Sequence, residues 1–371
     1  MAILVQSVGS RREMREFIRL PLLLYRGNAC FVPPLLAERR AFFSPKNPLF
    51  AFIEVAYFLA RDDRGALLGR VTAHINRRHN EFHGERTGFF GFFECVQRLD
   101  VAQALMRTAE EWLRTRGMTL IRGPFNFSTN EECGFLAEGY DSPPAFMMPY
   151  NPPWYLDFML QMGYTRAKDL LAFEYVKQNG IPEFLLRVCP RVRDKTGVNV
   201  RPLDMRHFNE EVEACFAVYN TAWEKNWGFV PVTREEFHYA AKGLRQIIDP
   251  SLALIAEKDG KPVAFSLALP DYNEVLRKMN GRLFPFGFFH FLLGRRKIRR
   301  VRVLLLGVVA EYRNRGIDLL LYHDTFKNGL ARGYTSCEMS WILEDNHLMI
   351  RALEHIGARR HKVYRVFEKA L

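Results

Sequence analysis

The residues of this chain with the clearest chemical spacing are Arg313-Asn314-Arg315-Gly316-Ile317-Asp318. They follow Val301 to Val309, an almost continuously apolar stretch that reads as a strand buried on both faces. From Ile317 onward the spacing is helical. A buried strand that passes through a basic, glycine-containing turn into a helix start builds an anion site. Unpaired backbone N–H groups and the positive end of the helix dipole face the same point. A second candidate follows a strand in the first half, where Asn126, Asn130 and Glu131 sit among Phe125, Phe127 and prolines, with Tyr150 further on. Polar side chains held among Phe and Pro suit a binding loop. The alternative is a loop whose polar groups satisfy its own backbone. His74, His79 and His83 invite a metal reading, but no Cys lies nearby and two Arg and an Asn interrupt the run. A polar hairpin end is expected there, and no metal.

The elements that position these residues follow from local pattern. Ile3 to Gln6 alternates as a strand and Arg11 to Tyr25 has helical spacing. Ala56 to Arg61 and Leu67 to Ile75 flank Asp62-Asp63-Arg64-Gly65, which predicts a hairpin. Thr87 to Val96 reads as a strand, Val101 to Arg116 as an amphipathic helix closed by Gly117, and Met118 to Arg122 as a further strand. The second half repeats this order. Val198 to Arg201 is a strand, Phe208 to Trp223 a helix, and Leu252 to Glu257 with Pro262 to Leu269 a second hairpin around Asp259-Gly260.

Gly65 and Gly69 recur as Gly260 and Ala264, 195 positions on. Gly91 and Gly117 match Gly307 and Gly333 at 216, and Gly163 and Phe173-Glu174 match Gly357 and Phe367-Glu368 at 194. Offsets constant within separate blocks imply two copies of one α/β unit, 1–178 and 198–371, joined by a linker over 179–197. The position matching Gly316 in the first copy is Asp100, where no glycine lets a backbone approach a phosphate.

Bulk properties fit a globular chain: 371 residues, 48% hydrophobic and 25% charged, which is long enough for two cores. A formal net charge of +12 favours anionic partners. Six scattered cysteines without a C-x-x-C pair, and no visible signal peptide, give the expectation of a reduced, cytoplasmic protein. Phe284 to Gly294, rich in Phe and Leu, is followed by Arg295-Arg296-Lys297-Ile298-Arg299-Arg300. This second-half insertion, 284–300, suits peripheral membrane contact, an acyl-chain lining or cations near phosphates, with a packed lid as the plain alternative. No nucleic-acid-binding motif is present, so nucleic acid is not an expected partner.

The element order together with Arg313 to Asp318 resembles the GNAT acyltransferase superfamily, whose motif is Arg/Gln-x-x-Gly-x-Gly/Ala. Arg313 and Gly316 fit, and Asp318 stands where Gly or Ala is usual. Trp341-Ile342-Leu343-Glu344-Asp345-Asn346 and Gly357 resemble the family's next strand and helix. The resemblance implies an α/β fold of two tandem GNAT-like units, each a mixed, mostly antiparallel sheet flanked by helices, with a degenerate N-terminal copy. It implies acetyl-CoA or a longer acyl-CoA as donor, held by Val308, Val309, Arg313, Asn314, Arg315, Gly316, Ile317, Asp318 and Asn346. The expected activity is N-acyl transfer to a small-molecule or peptide amine bound between the copies by Asn126, Asn130, Glu131 and Tyr150. Glu344 is the candidate base, with Asn346 beside it. The family's usual acid, a Tyr seven residues after that Asn, is Leu353 here, which leaves Tyr364 or His355 as substitutes. The rival expectation is a catalytically silent acyl-CoA sensor or a lipid- or membrane-associated binding protein. The acceptor, the acyl length and the oligomeric state are not specified by the sequence.

Overall fold

The computed structural model describes residues 2–176, 180–283 and 287–371. Residues 177–179 at the expected linker's start, and Phe284, Pro285 and Phe286 of the insertion, lie outside them. The first half of the chain forms β1 (Ile3–Ser7), α1 (Arg11–Leu24), α2 (Leu36–Phe42), β2 (Ile53–Asp62), β3 (Leu67–Asn76), α3 (Arg77–His83), β4 (Thr87–Cys95), α4 (Leu99–Arg114), β5 (Leu120–Gly123), β6 (Phe135–Glu138), α5 (Trp154–Gln161) and β7 (Thr165–Val176). The second half forms α6 (Glu183–Thr196), β8 (Asn199–Pro202), α7 (Phe208–Trp223), α8 (Arg234–Leu244), β9 (Ala253–Lys258), β10 (Lys261–Pro270), α9 (Asn273–Leu276) and α10 (Gly287–Gly294). It ends with β11 (Arg300–Val308), α11 (Ile317–Ala331), β12 (Ser336–Leu343), α12 (His347–His355) and β13 (Arg359–Ala370).

Local chemistry explains these boundaries. Ser10 and Glu13 close a capping box at the start of α1, and Thr233 and Glu236 do so at α8. Asp62 Oδ1 accepts the N–H groups of Arg64 (3.0 Å) and Ala66 (2.7 Å), which pins the β2–β3 turn. The apolar stripe of α4, Val101, Ala102, Leu105, Met106, Ala109 and Leu113, is fully buried, as the period of 3.6 requires.

The chain resolves into two compact units. The first comprises Met1–Leu170, Asn273–Gly294 and Lys362–Leu371; the second comprises Leu171–Tyr272 and Arg295–His361. In the first, β1, β2, β3 and β4 are antiparallel neighbours, β5 runs parallel to β4, and β13 pairs antiparallel with β5 and β6. In the second, β8, β9, β10 and β11 are antiparallel neighbours, β12 runs parallel to β11, and β7 lies beside β12. These are two α/β units of mixed, mostly antiparallel sheet. β7 and β13 are both 12 residues long and begin and end 194 positions apart. Each half of the chain therefore gives part of its last strand to the unit built mainly by the other half.

In both units the parallel pair meets briefly. β4 and β5 pair over Thr87–Phe89 and Leu120–Arg122, β11 and β12 over Arg300–Val303 and Ser336–Met339. Past those residues the strands part, β11 running to Val308 and β12 to Leu343. The ladders place Cys95 opposite Gly69 and Val308 opposite Ala264, so β4 and β11 correspond at an offset of 213. Gly91 and Gly307 are thus not register equivalents. β4 ends at Cys95 and α4 begins at Leu99, whereas β11 ends at Val308 and α11 begins at Ile317, so the strand-to-helix turn of the second copy is five residues longer. Those residues belong to the basic glycine turn.

Candidate functional site

The turn into α11 is built for an anion. Gly316 is its N-cap at φ 80° and ψ 14°, a left-handed conformation that costs a residue with a Cβ about 1–2 kcal/mol. The first N–H of the ladder, that of Leu319, bonds to Gly316 O at 3.1 Å. The N–H groups of Gly316 and Ile317 precede the ladder. Arg313 is committed elsewhere: its guanidinium donates to Ala222 O (2.8 Å) and Val308 O (3.2 Å), tying the turn to the end of α7. Arg315 is exposed, with its guanidinium over the Tyr312 ring at 5.0 Å. This set fits a phosphate group, with one opposing member. Burial pushes the Asp318 carboxyl above the usual carboxylate range, while its own N–H and that of Leu319 pull it back. Its charge, when ionised, opposes that of an anion held at the same helix start.

The segment expected as a linker supplies a wall of this site. In α6, Cys189 Sγ bonds Leu319 O (3.5 Å) and Arg193 grips Asp324 with two contacts of 2.8 Å. A Cβ placed on Gly316 would lie 3.0 Å from Val192 Cγ2. Only glycine lets α6 and the turn approach so closely.

Below the turn, the β11–β12 ladder ends at Val303 and Met339 while the strands run on to Val308 and Leu343, opening a cleft between them. A buried network fixes where it opens. Arg302 Nε donates to Ser340 Oγ (2.9 Å), which donates to Glu338 Oε1 (2.8 Å). Glu338 is fully buried and also meets Arg300 (2.7 Å) and His361 Nε2 (3.0 Å). Burial opposes its ionisation, but the His361 hydrogen bond and the Arg300 charge outweigh that and hold the carboxyl at about 2. At the top of β12, Glu344 occupies a half-buried turn. Asn346 caps α12, its Oδ1 accepting from Met349 N (3.2 Å), so its Nδ2 is the group left for a ligand.

The first unit holds a second polar centre. Gly91 allows the loop after β5 to cross β4: a Cβ there would lie 1.9 Å from Phe125 O. Asn126 is thereby brought over the β4 bulge, where Phe92 has φ 48°. Its Oδ1 accepts from Phe92 N (2.8 Å) and its Nδ2 donates to Glu132 Oε2 (2.9 Å). Glu132 in turn pairs with Arg39. On β4, Glu94 accepts hydrogen bonds from Tyr25 and from Tyr155 (3.1 Å), with Arg70 3.8 Å away. Burial pushes its carboxyl up to about 7, against the pull of Arg70 and the two phenols. Tyr25 stacks on Phe31 at 4.3 Å and meets Tyr150 edge-on at 5.9 Å, and Asn28 Nδ2 donates to the Tyr150 hydroxyl (3.0 Å).

The four loop residues singled out from sequence are therefore placed differently. Asn126 and Tyr150 join this centre, Glu131 contributes charge to Arg39, and Asn130 is exposed. Tyr364 is fully buried in the first unit, with Gly134 packed against its Cβ, whereas Glu344 and Asn346 belong to the second. Sequence reasoning missed Glu94, Arg70, Tyr25 and the Arg300–Glu338–His361 network. The only signal was charge inside apolar strands: Glu94 in TGFFGFFEC and Glu338 in SCEMSWIL. Among the described residues no group of three His, Cys, Asp or Glu could hold a metal ion. His79 instead meets Glu85 at 3.3 Å.

Comparison with known proteins adds relatives of full length. No protein-family model matches the chain. It is 37% identical to protein YghO of Escherichia coli (strain K12), over 99% of this chain and 95% of that protein. It is 36% identical to the bacterial ceramide synthase of Caulobacter vibrioides, over 99% of this chain and 97% of that protein. Among solved structures it is similar to a tandem GNAT protein from the clavulanic acid biosynthesis pathway, with a TM-score of 0.59 at 12% identity over 100% of this chain and 98% of that one. The last likeness is one of fold.

Proposed function

This chain belongs to the family that contains protein YghO and the bacterial ceramide synthase, has the tandem GNAT fold, and is an acyl-CoA-dependent N-acyltransferase; from that premise we propose that its acceptor is a long-chain amino alcohol. A ceramide is the amide of a fatty acid with such an amine, and the end-to-end identity of 36% with the Caulobacter protein is the observation that carries the acceptor class. In the reaction the amine nitrogen attacks the thioester carbonyl. The C–N bond forms, the C–S bond breaks, one amine proton passes to a base, and CoA leaves as the thiolate.

The residues act as follows in this proposal. The Arg313–Asp318 turn receives the donor's phosphates on the N–H groups of Gly316 and Ile317, with Arg315 alongside. The pantetheine arm lies past Val308 and Val309 in the slot between β11 and β12, where Asn346 Nδ2 donates to it. Glu344 takes the amine proton. The first unit holds a second candidate base of its own, Glu94, because burial has already moved its carboxyl to about 7, where a base works best near neutral pH. None of the six cysteines is in a disulfide, which suits a reducing compartment, and on that ground the proposed location is the cytoplasm.

The test is to incubate the protein with a long-chain acyl-CoA and either a long-chain amino alcohol or small soluble amines, following free thiol and amide product by mass spectrometry. Amide from the long-chain amine is the expected product. Acylation of the soluble amines alone would overturn the acceptor class. Acyl-CoA binding without thiol release on any amine would point instead to an acyl-CoA sensor.

A further inference from the structure

The helix α10 inverts the usual economy of a surface helix. Its two ends are glycines turned inward. Gly287 is buried, and a Cβ there would lie 2.0 Å from Arg282 O; one on Gly294 would lie 2.9 Å from Val275 Cγ1. The large apolar side chains point the other way: Phe288 is 42% exposed, Phe289 62%, Leu292 36% and Leu293 71%. Positions i, i+1, i+4 and i+5 lie on one helix face, so this is a contiguous apolar stripe and not scattered exposure. The helix is held firmly. It packs on α9, where Asn273 Nδ2 donates to Pro144 O at 2.9 Å, and the chain is buried again at Ile298. Between these anchors the exposed residues Arg295, Arg296 and Lys297 follow the stripe directly. From residue 284 to residue 300 there is no acidic residue.

We propose that α10 and the basic residues after it form a docking surface for an anionic phospholipid bilayer. Eight residues rise about 12 Å, too short to span a bilayer and suited to lying in its interface with Phe and Leu among the acyl chains. The adjacent cations then meet the headgroup phosphates, and the chain's formal charge of +12 acts in the same direction over longer range. A protein partner would need carboxylates to match these cations and a concave apolar surface to match the stripe. An anionic bilayer supplies both properties over its whole area. The inference stands on the surface alone, and its test uses no acyl-CoA and no amine, so it fails or holds independently of the acceptor assignment.

The experiment is co-sedimentation of the full chain with vesicles of phosphatidylcholine alone or with about one-third phosphatidylglycerol, at low and high salt. The wild type is expected to bind the anionic vesicles at least about tenfold more tightly than neutral ones, and to lose most of that preference in high salt. The pair Phe289→Asp and Leu293→Asp should reduce binding at least about tenfold, and Arg295→Glu with Arg296→Glu and Lys297→Glu should abolish the anionic preference. Because all five side chains are solvent-exposed, the variants should keep the wild-type melting temperature, which is measured alongside. A wild type that stays in the supernatant, or an aspartate variant that sediments like wild type, would overturn the proposal. So would self-association of the wild type in the absence of lipid that the aspartate variant abolishes.

Discussion

Gly316 and Asp318 pull the same site in opposite directions. Gly316→Ala puts a Cβ into a left-handed backbone and 3.0 Å from Val192. Acyl-CoA affinity measured by calorimetry should fall at least about tenfold, with a loss of stability of about 1–2 kcal/mol. Asp318→Asn removes the carboxylate from the helix start, so affinity for acyl-CoA should rise severalfold, and because burial already opposes that charge the melting temperature at neutral pH should not fall. In the wild type the carboxyl's raised pKa gives a pH dependence with a definite sign: acyl-CoA binding tightens as pH falls and Asp318 takes up a proton. Glu94 works the other way. With its carboxyl at about 7, its base form is lost below neutrality. If it is the base, the rate climbs through pH 7, and Glu94→Gln lowers kcat by roughly 10²–10⁴-fold while KM for the donor stays. A Glu344→Gln variant with that loss and an intact Glu94 profile would assign the base to Glu344. The glycine turn was legible because its spacing is local. Glu94 was not, because its pKa is raised by burial, partly offset by Arg70, Tyr25 and Tyr155, and that enclosure forms only when α1's end, β3 and α5 come together.

At the scale of elements, the parting of β11 and β12 depends on the network that closes just where they separate. Arg300 and Arg302 from β11 meet Glu338 and Ser340 from β12, and His361 from β13 completes the set. Glu338's folded pKa is depressed, so its contribution to stability is fully present above the ordinary carboxylate value and is lost as pH falls toward 2. That contribution is roughly 3 kcal/mol, and thermal unfolding followed from pH 5 to pH 2 should show it disappear. The His361→Ala variant should start its acid loss at a higher pH, since a partner of the carboxylate is gone. The helix α6 is the element that composition concealed. Its stretch EFLLRVCPRVRDKT is half polar and contains Pro190, which reads as connection. Only its docking through Leu185, Cys189 and Arg193 makes it a wall of the Gly316 turn.

For the whole molecule, the exchange of end strands decides what can fold alone. A fragment of residues 1–178 keeps β5 and β6 but lacks β13, leaving their edges unpaired. Expressed alone it should aggregate, and co-expression with 179–371 should restore soluble, acyl-CoA-binding protein, as checked by size-exclusion chromatography. A soluble, monomeric 1–178 would contradict this. The five additional residues in the second copy's turn are the structural asymmetry on which the proposed donor site rests. Both copies have strand, parting and helix, but only the longer turn reaches Gly316 before α11 begins.

The sequence by itself determined the two copies, the hairpins around Gly65 and Gly260, and the glycine turn at Gly316, because each is a pattern of neighbours within a few residues or a repeat at fixed offset. The tertiary structure alone decided which unit receives β7 and β13, that β4 and β11 correspond at 213, and that Glu94 and Glu338 have opposite proton affinities. The end strands pair with residues hundreds of positions away, and the buried charges meet partners tens of positions away. The desolvation and pairing that fix them exist only once the chain has closed around them.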